Sequence, residues 1–511
     1  IKSTALIVIL TLASKILGFL RETLIAYKFG SGMKTDTFFV ALTATALITS
    51  LISSAISTTF IPVLSQIEAI EGREEKINHT NNMINIISVI SIFLLIIAMI
   101  FAPVIVKLTA GGFSGDQFTL AVKLTSLGLP MILFSGVIGT LTAFLHSEQR
   151  YLSSAAIGFP FNMVYIVFLI FFASTFGITG LMVAAVLAVV SQFLIQVPEA
   201  RRAGFKYKFV FDIRDKYIKK VLYLSLPVLI GVAINDINAI IDRNLASSLV
   251  EGSISALNYA NKLQGLVYGV FVSAITTVIF PLLSKESNSS NIKGMKKIMG
   301  EGINLILLIT IPATVGLIIL AKPIVEVAFQ RGAFTANDTI MTSQALVFYS
   351  LGLVGSSLRL LTTRVYYSLQ DTKSPMLNGG IAVVLNLILN LILIRFLAHG
   401  GLALATSIST TIATLVLLYG LKKKIGSLGT VEWIKCGLKS VLASIAMGIV
   451  AYFIYHGLYG ILGVSKLNNL IALAIAAGIG ALIYGVLCYM LGIKEIKDLV
   501  GKGIDRFKKR K

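Results

Sequence analysis

Ser14-Lys15-Ile16-Leu17-Gly18-Phe19-Leu20-Arg21-Glu22 lies inside the first long apolar segment, residues 5–29, of a 511-residue chain. At 100° per residue, Ser14, Lys15, Gly18, Arg21 and Glu22 fall within roughly a 120° arc of one helix. The opposite face is Ile, Leu and Phe, which suits lipid. A basic residue at mid-membrane costs about 2.5–3.5 kcal/mol on the insertion scale, so two basic groups and an acid on one stripe are expected to face a water-filled interior. An internal Arg21–Glu22 ion pair is the plainer reading, but a single carboxylate leaves one basic group over. The stripe therefore reads as one wall of a cationic cavity for an anionic substrate.

The rest of the chain agrees with a membrane setting. Hydrophobic residues make up 56% and charged residues only 13%, with a mean hydropathy of +0.89, a balance that soluble proteins of this size do not have. The first apolar stretch carries internal charges and lacks a small-residue cleavage site, so it is not expected to be a cleaved signal peptide. Apolar runs of about twenty residues give fourteen candidate spans. Even-numbered connections and the two ends hold twenty-eight Lys and Arg against six in the odd-numbered ones, which puts both ends in the cytoplasm. The net charge of +21 is then topology and attraction to anionic lipid, and no nucleic-acid partner is expected.

An internal repeat organises the spans. Thr58-Thr59-Phe60-Ile61-Pro62-Val63-Leu64-Ser65 matches Thr277-Val278-Ile279-Phe280-Pro281-Leu282-Leu283-Ser284, and Pro103-Val104-Ile105 matches Pro323-Ile324-Val325, at offsets of 219 and 220 residues. Six spans separate the copies, so the two lobes share orientation and are related by a pseudo-two-fold axis along the membrane normal. The expected fold is an all-α polytopic membrane protein of about fourteen transmembrane helices. Residues 1–197 form an N-lobe, 198–217 a cytoplasmic linker, 218–420 a C-lobe, and 421–511 two further helices with a basic tail.

Under the repeat, the charged stripe of span one maps onto the region of Asp236 and Asn238 in span seven. Span eight offers Ser255, Tyr259 and Lys262 on one face. Arg21 and Lys262 lie at similar depth in their spans, a candidate diphosphate clamp in which guanidinium binds bidentately and ammonium acts as a point charge; snorkelling to the surface is the alternative for Lys262. Asp36 is either a gate residue or a solvated helix start. Arg359 in span ten is a further cavity candidate, and the hydroxyls of span two read mainly as close packing. Asp236, Asn386, Asn390 and Thr406 offer carboxylate, amide and hydroxyl oxygens suited to a coupling Na+, although a buried Asp bonded to amides reads equally well. No nucleotide loop, metal-ligand spacing or catalytic motif occurs, so neither an enzyme nor a cofactor is expected beyond a coupling Na+ or H+.

The run Ser14-Lys15-x-Leu17-Gly18-x-x-Arg21-Glu22, with Phe29-Gly30 and Thr35-Asp36-x-Phe38-Phe39, resembles the start of the MurJ (MviN) lipid II flippases of the multidrug/oligosaccharidyl-lipid/polysaccharide exporter superfamily. Asn258-Tyr259-Ala260-Asn261-Lys262-Leu263, Phe280-Pro281-Leu282-Leu283-Ser284 and Tyr366-Tyr367-Ser368-Leu369-Gln370-Asp371-Thr372-Lys373-Ser374-Pro375 are similar to later family motifs. The resemblance implies export of undecaprenyl-pyrophosphate-linked peptidoglycan precursor, lipid II, across the bacterial cytoplasmic membrane by alternating access, with the lipid tail beside the last two helices. It implies substrate contacts from Ser14, Lys15, Arg21, Glu22, Asp36, Ser255 and Lys262, and a sodium site at Asp236, Asn386, Asn390 and Thr406. The chain departs by Lys at positions 15 and 262, where the family carries Arg, and lacks an arginine near Ile48, Thr49 and Ser50. Partners are then lipid II and membrane lipid, with the chain acting as a monomer. A flippase for another polyprenyl-linked glycan and a cation-coupled multidrug antiporter are the alternatives. The antiporter prefers an acidic or apolar cavity, whereas Lys15, Arg21 and Lys262 make this one basic.

Overall fold

The computed structural model describes residues 2–463, 465–498 and 501. The basic tail from Lys502 onward, counted in the orientation argument, lies outside the described residues. Every element among the described residues is helical. The chain divides into two compact units, residues 1–255 with 331–335 and residues 256–330 with 336–511.

The first unit holds α1 (Lys2–Phe29), α2 (Met33–Glu71), α3 (Arg73–Ile100), α4 (Ala102–Thr109), α5 (Gly115–Gly128), α6 (Met131–Ser147), α7 (Leu152–Ala156), α8 (Gly158–Val167), a π-helical turn (Phe168–Phe172), α9 (Ala173–Arg202) and α10 (Lys216–Ala246). The first three residues of α11 (Ser253–Val267) also belong to it. The second unit continues with a second π-helical turn (Tyr268–Val272), α12 (Ser273–Asn288), α13 (Ile292–Ile319), α14 (Ala321–Phe329), α15 (Ala336–Leu351), α16 (Leu353–Ser368), α17 (Lys373–Ile425), α18 (Thr430–Leu462) and α19 (Lys466–Met490).

Ten helical stretches are long and apolar enough to cross a membrane, and the α15–α16 pair, bent by 45°, adds an eleventh. Two of the ten run for 51 and 53 residues, about 80 Å of helix against an apolar bilayer core of about 30 Å, so each must cross twice. They break where that demands. Gly177 takes φ 58° and ψ −154°, backbone that a side chain would strain, and Ala398 takes φ 47°. With those two divided and α1 added, all fourteen spans read from the sequence have a helix.

Within the first unit α2 is the central post, packed by α5, α6 and α10. Small residues permit the close approach: a Cβ on Gly139 would stand 3.0 Å from the Ser53 carbonyl oxygen. The core beneath them gathers Phe60, Leu64, Ile67, Met83 and Phe144. The hydroxyls of α2 mostly donate back to their own helix, as Thr43 to Phe39, Thr45 to Ala41 and Thr59 to Ala55, which satisfies them in an apolar medium. The repeat assigns α10 to the C-lobe, yet it packs along α2. Thr59 and Ser225 hydroxyls meet at 3.1 Å, and Ser50 donates to Asp236 at 2.7 Å. The first compact unit therefore extends past residues 198–217 to Ser255.

In the second unit α13 packs on α18, and α18 on α19, while α15 and α16 pack on α17. Its main core collects Val272, Met299, Ile303, Leu361, Val365 and Trp433.

Candidate functional site

The upper half of the α1 stripe is a helix contact. A Cβ on Gly158 would meet the Ser14 hydroxyl, which would have to turn away, and would stand 3.1 Å from the Ser14 Cβ, so glycine keeps this approach of α8 to α1 unstrained. Asn162 then donates to the Ser14 carbonyl at 3.1 Å and to the Gly158 carbonyl at 2.7 Å, and it faces Gly18. Lys15, on the same stripe, is partly buried.

One turn further on, the stripe opens. Arg21 donates to Glu22 at 2.6 Å, with side chains only 16% and 4% exposed. The guanidinium carbon lies 5.0 Å from the Tyr165 ring centre and 5.4 Å from that of Phe161, so the ring faces add to its stabilisation. Its Nε is buried and finds no hydrogen-bond partner among the described residues. Arg21, Glu22, Phe161 and Tyr165 line a pocket of about 300 Å³, completed by Phe39, Thr45 and Thr49 of α2, Met131 of α6 and Val189 of α9. The ion pair read as the plain alternative does form, and the charged end of Arg21 still borders open volume. A guanidinium has five donors, so one carboxylate leaves capacity for a second anion.

Asp36 is neither solvated nor open to a ligand. It is 3% exposed and accepts from the Gly252 amide at 2.7 Å, the Ser255 amide at 2.8 Å and the Ser255 hydroxyl at 2.5 Å. These amides begin α11, whose N-cap position, Gly252, has no side chain of its own. Asp36 thus supplies from α2 both bonds of a capping box. Ser255 is fully buried in the same contact.

The remaining candidates fall in two groups. Asp236, partly buried on α10, accepts from Ser50 in the first unit. In the second unit Asn390 donates to the Asn386 carbonyl at 2.8 Å, and Asn386 donates to Thr406 at 3.2 Å, a buried chain of amide and hydroxyl oxygens. That donor set fits a hard monovalent cation by chemistry. Also in the second unit, Lys262 is exposed, Arg359 is partly buried within electrostatic reach of Tyr268, and Arg364 stands 5.3 Å from the Phe280 ring centre.

Sequence reasoning missed a polar platform at the end of the first unit that holds Glu68 and Glu148. Lys76 is fully buried and donates to both carboxylates at 2.7 Å. The segment read as a linker is strapped along α3: Asn81 donates to the Lys206 carbonyl, Asn82 to that of Asp212 and Asn85 to that of Val210. Asp215 closes the strap, capping α10 through the Tyr217 amide and accepting from Asn82. The signal was present as Asn81-Asn82-x-x-Asn85, three amides on one helix face in an otherwise apolar run.

The family model described as "Lipid II flippase MurJ" matches residues 25–471. The probable lipid II flippase MurJ of Buchnera aphidicola subsp. Baizongia pistaciae is 30% identical over 458 residues, 88% of this chain and 89% of that protein. A solved structure of lipid II flippase MurJ in an inward closed conformation superposes with a TM-score of 0.79 at 27% identity, covering 97% of this chain and all of that one. An inward-facing multidrug resistance MATE transporter of the MOP superfamily shares the fold, with a TM-score of 0.70 at 12% identity over 83% of this chain and 99% of its own.

Proposed function

Because the chain belongs to the lipid II flippase MurJ family, transporters of the bacterial inner membrane and not enzymes, we propose that it carries lipid II from the inner to the outer leaflet. The observation that supports this most directly is Arg21. A guanidinium set against two aromatic rings of α8, with one carboxylate and a buried unpartnered Nε, borders a pocket among the helices of the first unit. Such a group is costly to insert unless it meets an anion, and a diphosphate is the anion a lipid-linked precursor presents. Glu22 holds the guanidinium in place and lowers the cost of the empty state.

The working cycle is alternating access, with Lys15 and Arg21 on α1 supplying positive charge for the diphosphate. Both ends of the chain lie in the cytoplasm, by the bias of Lys and Arg among the loops. With the cytoplasm negative, each negative charge moved outward gains about 2.3 kcal/mol per 100 mV, so the membrane potential favours export. Cation entry resets the empty carrier; the Asp236 carboxylate of the first unit and, separately, the Asn386, Asn390 and Thr406 oxygens of the second are the groups whose chemistry suits Na+.

Translocation of labelled lipid II in proteoliposomes tests the reading. The wild type is expected to move lipid II, Arg21→Ala to lose at least tenfold in rate, and Asp236→Asn to lose its dependence on a sodium gradient. Failure of the wild type to move lipid II, with transport of another polyprenyl-linked glycan in its place, would overturn the assignment.

A further inference from the structure

Two interruptions of otherwise regular helices meet at one place in the second unit. α11 runs into the five-residue π-helical turn at Tyr268, and α15 meets α16 at Gly352 with a 45° bend. Helix breaks inside a bilayer disturb backbone hydrogen bonds and are tolerated where the chain lines a polar cavity, and π-turns recur at functional sites. Both breaks border a pocket of about 230 Å³. That is the volume of seven or eight waters at about 30 Å³ each, enough for a single sugar ring.

No lining residue is charged, and amides and hydroxyls edge a wall that is otherwise mostly apolar. Asn261 and Gln264 come from α11, Tyr268 from the π-turn, Tyr349 from α15, and Thr410 from α17, beside the Thr406 already bonded to Asn386. Gln264 donates through Nε2 to the Tyr349 carbonyl at 2.6 Å, which fixes the plane of its amide. Ser356 and Ser407, also at the pocket wall, donate to the Leu353 and Phe348 carbonyls. Their oxygens are thereby held as acceptors. A mostly apolar wall with two tyrosines, edged by amides and hydroxyl acceptors, suits a neutral pyranose, whose C–H faces pack on apolar surface while its hydroxyl and acetamido groups meet the polar edge. A carboxylate or a cationic drug would find no opposite charge among these lining residues.

We propose that this pocket receives the uncharged sugar and acetamido part of the lipid-linked substrate. It acts as a subsite distinct from the basic groups that meet the diphosphate, with Lys262 of the same α11 adjoining it in sequence. The proposal rests on the lipid II reading above and names where its head group is recognised.

Equilibrium binding to the full chain in nanodiscs tests it, with two probes: lipid II, and undecaprenyl pyrophosphate, which has the same tail and diphosphate but no glycan. The wild type is expected to prefer lipid II. Gln264→Leu and the near-isosteric Thr410→Val are each expected to weaken lipid II about tenfold and leave undecaprenyl pyrophosphate unchanged, with the melting temperature of Thr410→Val showing that the fold is kept. Equal loss for both probes, or no loss for either, overturns the subsite. A loss that disappears when sodium is replaced by choline overturns it too, by making the pocket an ion site. If the wild type binds both probes equally, the subsite fails and the flippase reading stands; if it binds neither, the flippase reading itself fails.

Discussion

Removing the Asp36 carboxylate should release the start of α11, and the size of the effect follows from three bonds. Asp36 accepts from two backbone amides and one hydroxyl at 2.5–2.8 Å in a fully buried contact. Hydrogen bonds to charged groups contribute about 1.5–3 kcal/mol each, but they do not add when they share one acceptor group. Loss of a helix cap alone costs about 1–2 kcal/mol. For Asp36→Ala, which also strands two buried amides, a local loss of about 3 kcal/mol is the working figure. Protection of the amides at residues 252–256 against hydrogen exchange should then fall by roughly 100-fold, since about 1.4 kcal/mol is a factor of ten. Asp36→Asn keeps one carbonyl oxygen for Ser255 and turns an N–H toward Gly252, so its loss should be about half as large. Ser255→Ala removes only the hydroxyl bond and should cost about 1 kcal/mol. Hydrogen exchange read by mass spectrometry on the purified protein gives all three. Unchanged protection of this segment in Asp36→Ala would refute the capping argument, and weakened lipid II binding by Asp36→Asn with protection intact would return Asp36 to the substrate.

Other expectations rest on separate features. Gly177→Ala adds a methyl group with no atom within 4 Å of it, so any fall in melting temperature reports backbone strain alone, about 1–3 kcal/mol. Lys76→Met removes the buried ammonium shared by Glu68 and Glu148, but Glu148 keeps Arg73 and the Glu68 side chain is 42% exposed, so the first unit should lose only about 1 kcal/mol; a loss several times larger, or none, would contradict this account of the network. Asp371 is pulled down to about 2 by the Lys424 ammonium and the Ser374 amide. Its stabilisation is therefore complete above the ordinary carboxylate value near 4 and is lost as pH falls toward 2. The wild type and Asp371→Asn should differ in melting temperature by a small, constant amount from pH 5 to 8, a gap that closes in acid. The pair is partly exposed, so solvent screening keeps the gap small.

Lipid as a solvent is why so much could be read from the chain alone. A bilayer accepts only helices and closed barrels, so long apolar runs read as fourteen helical spans, and the cost of burying charge marks Arg21, Glu22 and Asp36 as special from the sequence alone. What those groups touch was not readable. The partner of Asp36 lies 219 residues away at Ser255, the rings against Arg21 come from α8, and Gly158 matters only because α1 passes beside it. The strap of 203–215 on α3 and the packing of α10 against α2 are likewise contacts between segments that periodicity treats separately. Hydropathy reports the medium each residue meets, one residue at a time. Hydrogen bonds, ring contacts and helix breaks depend on distances between residues far apart in sequence, and only the folded chain sets those.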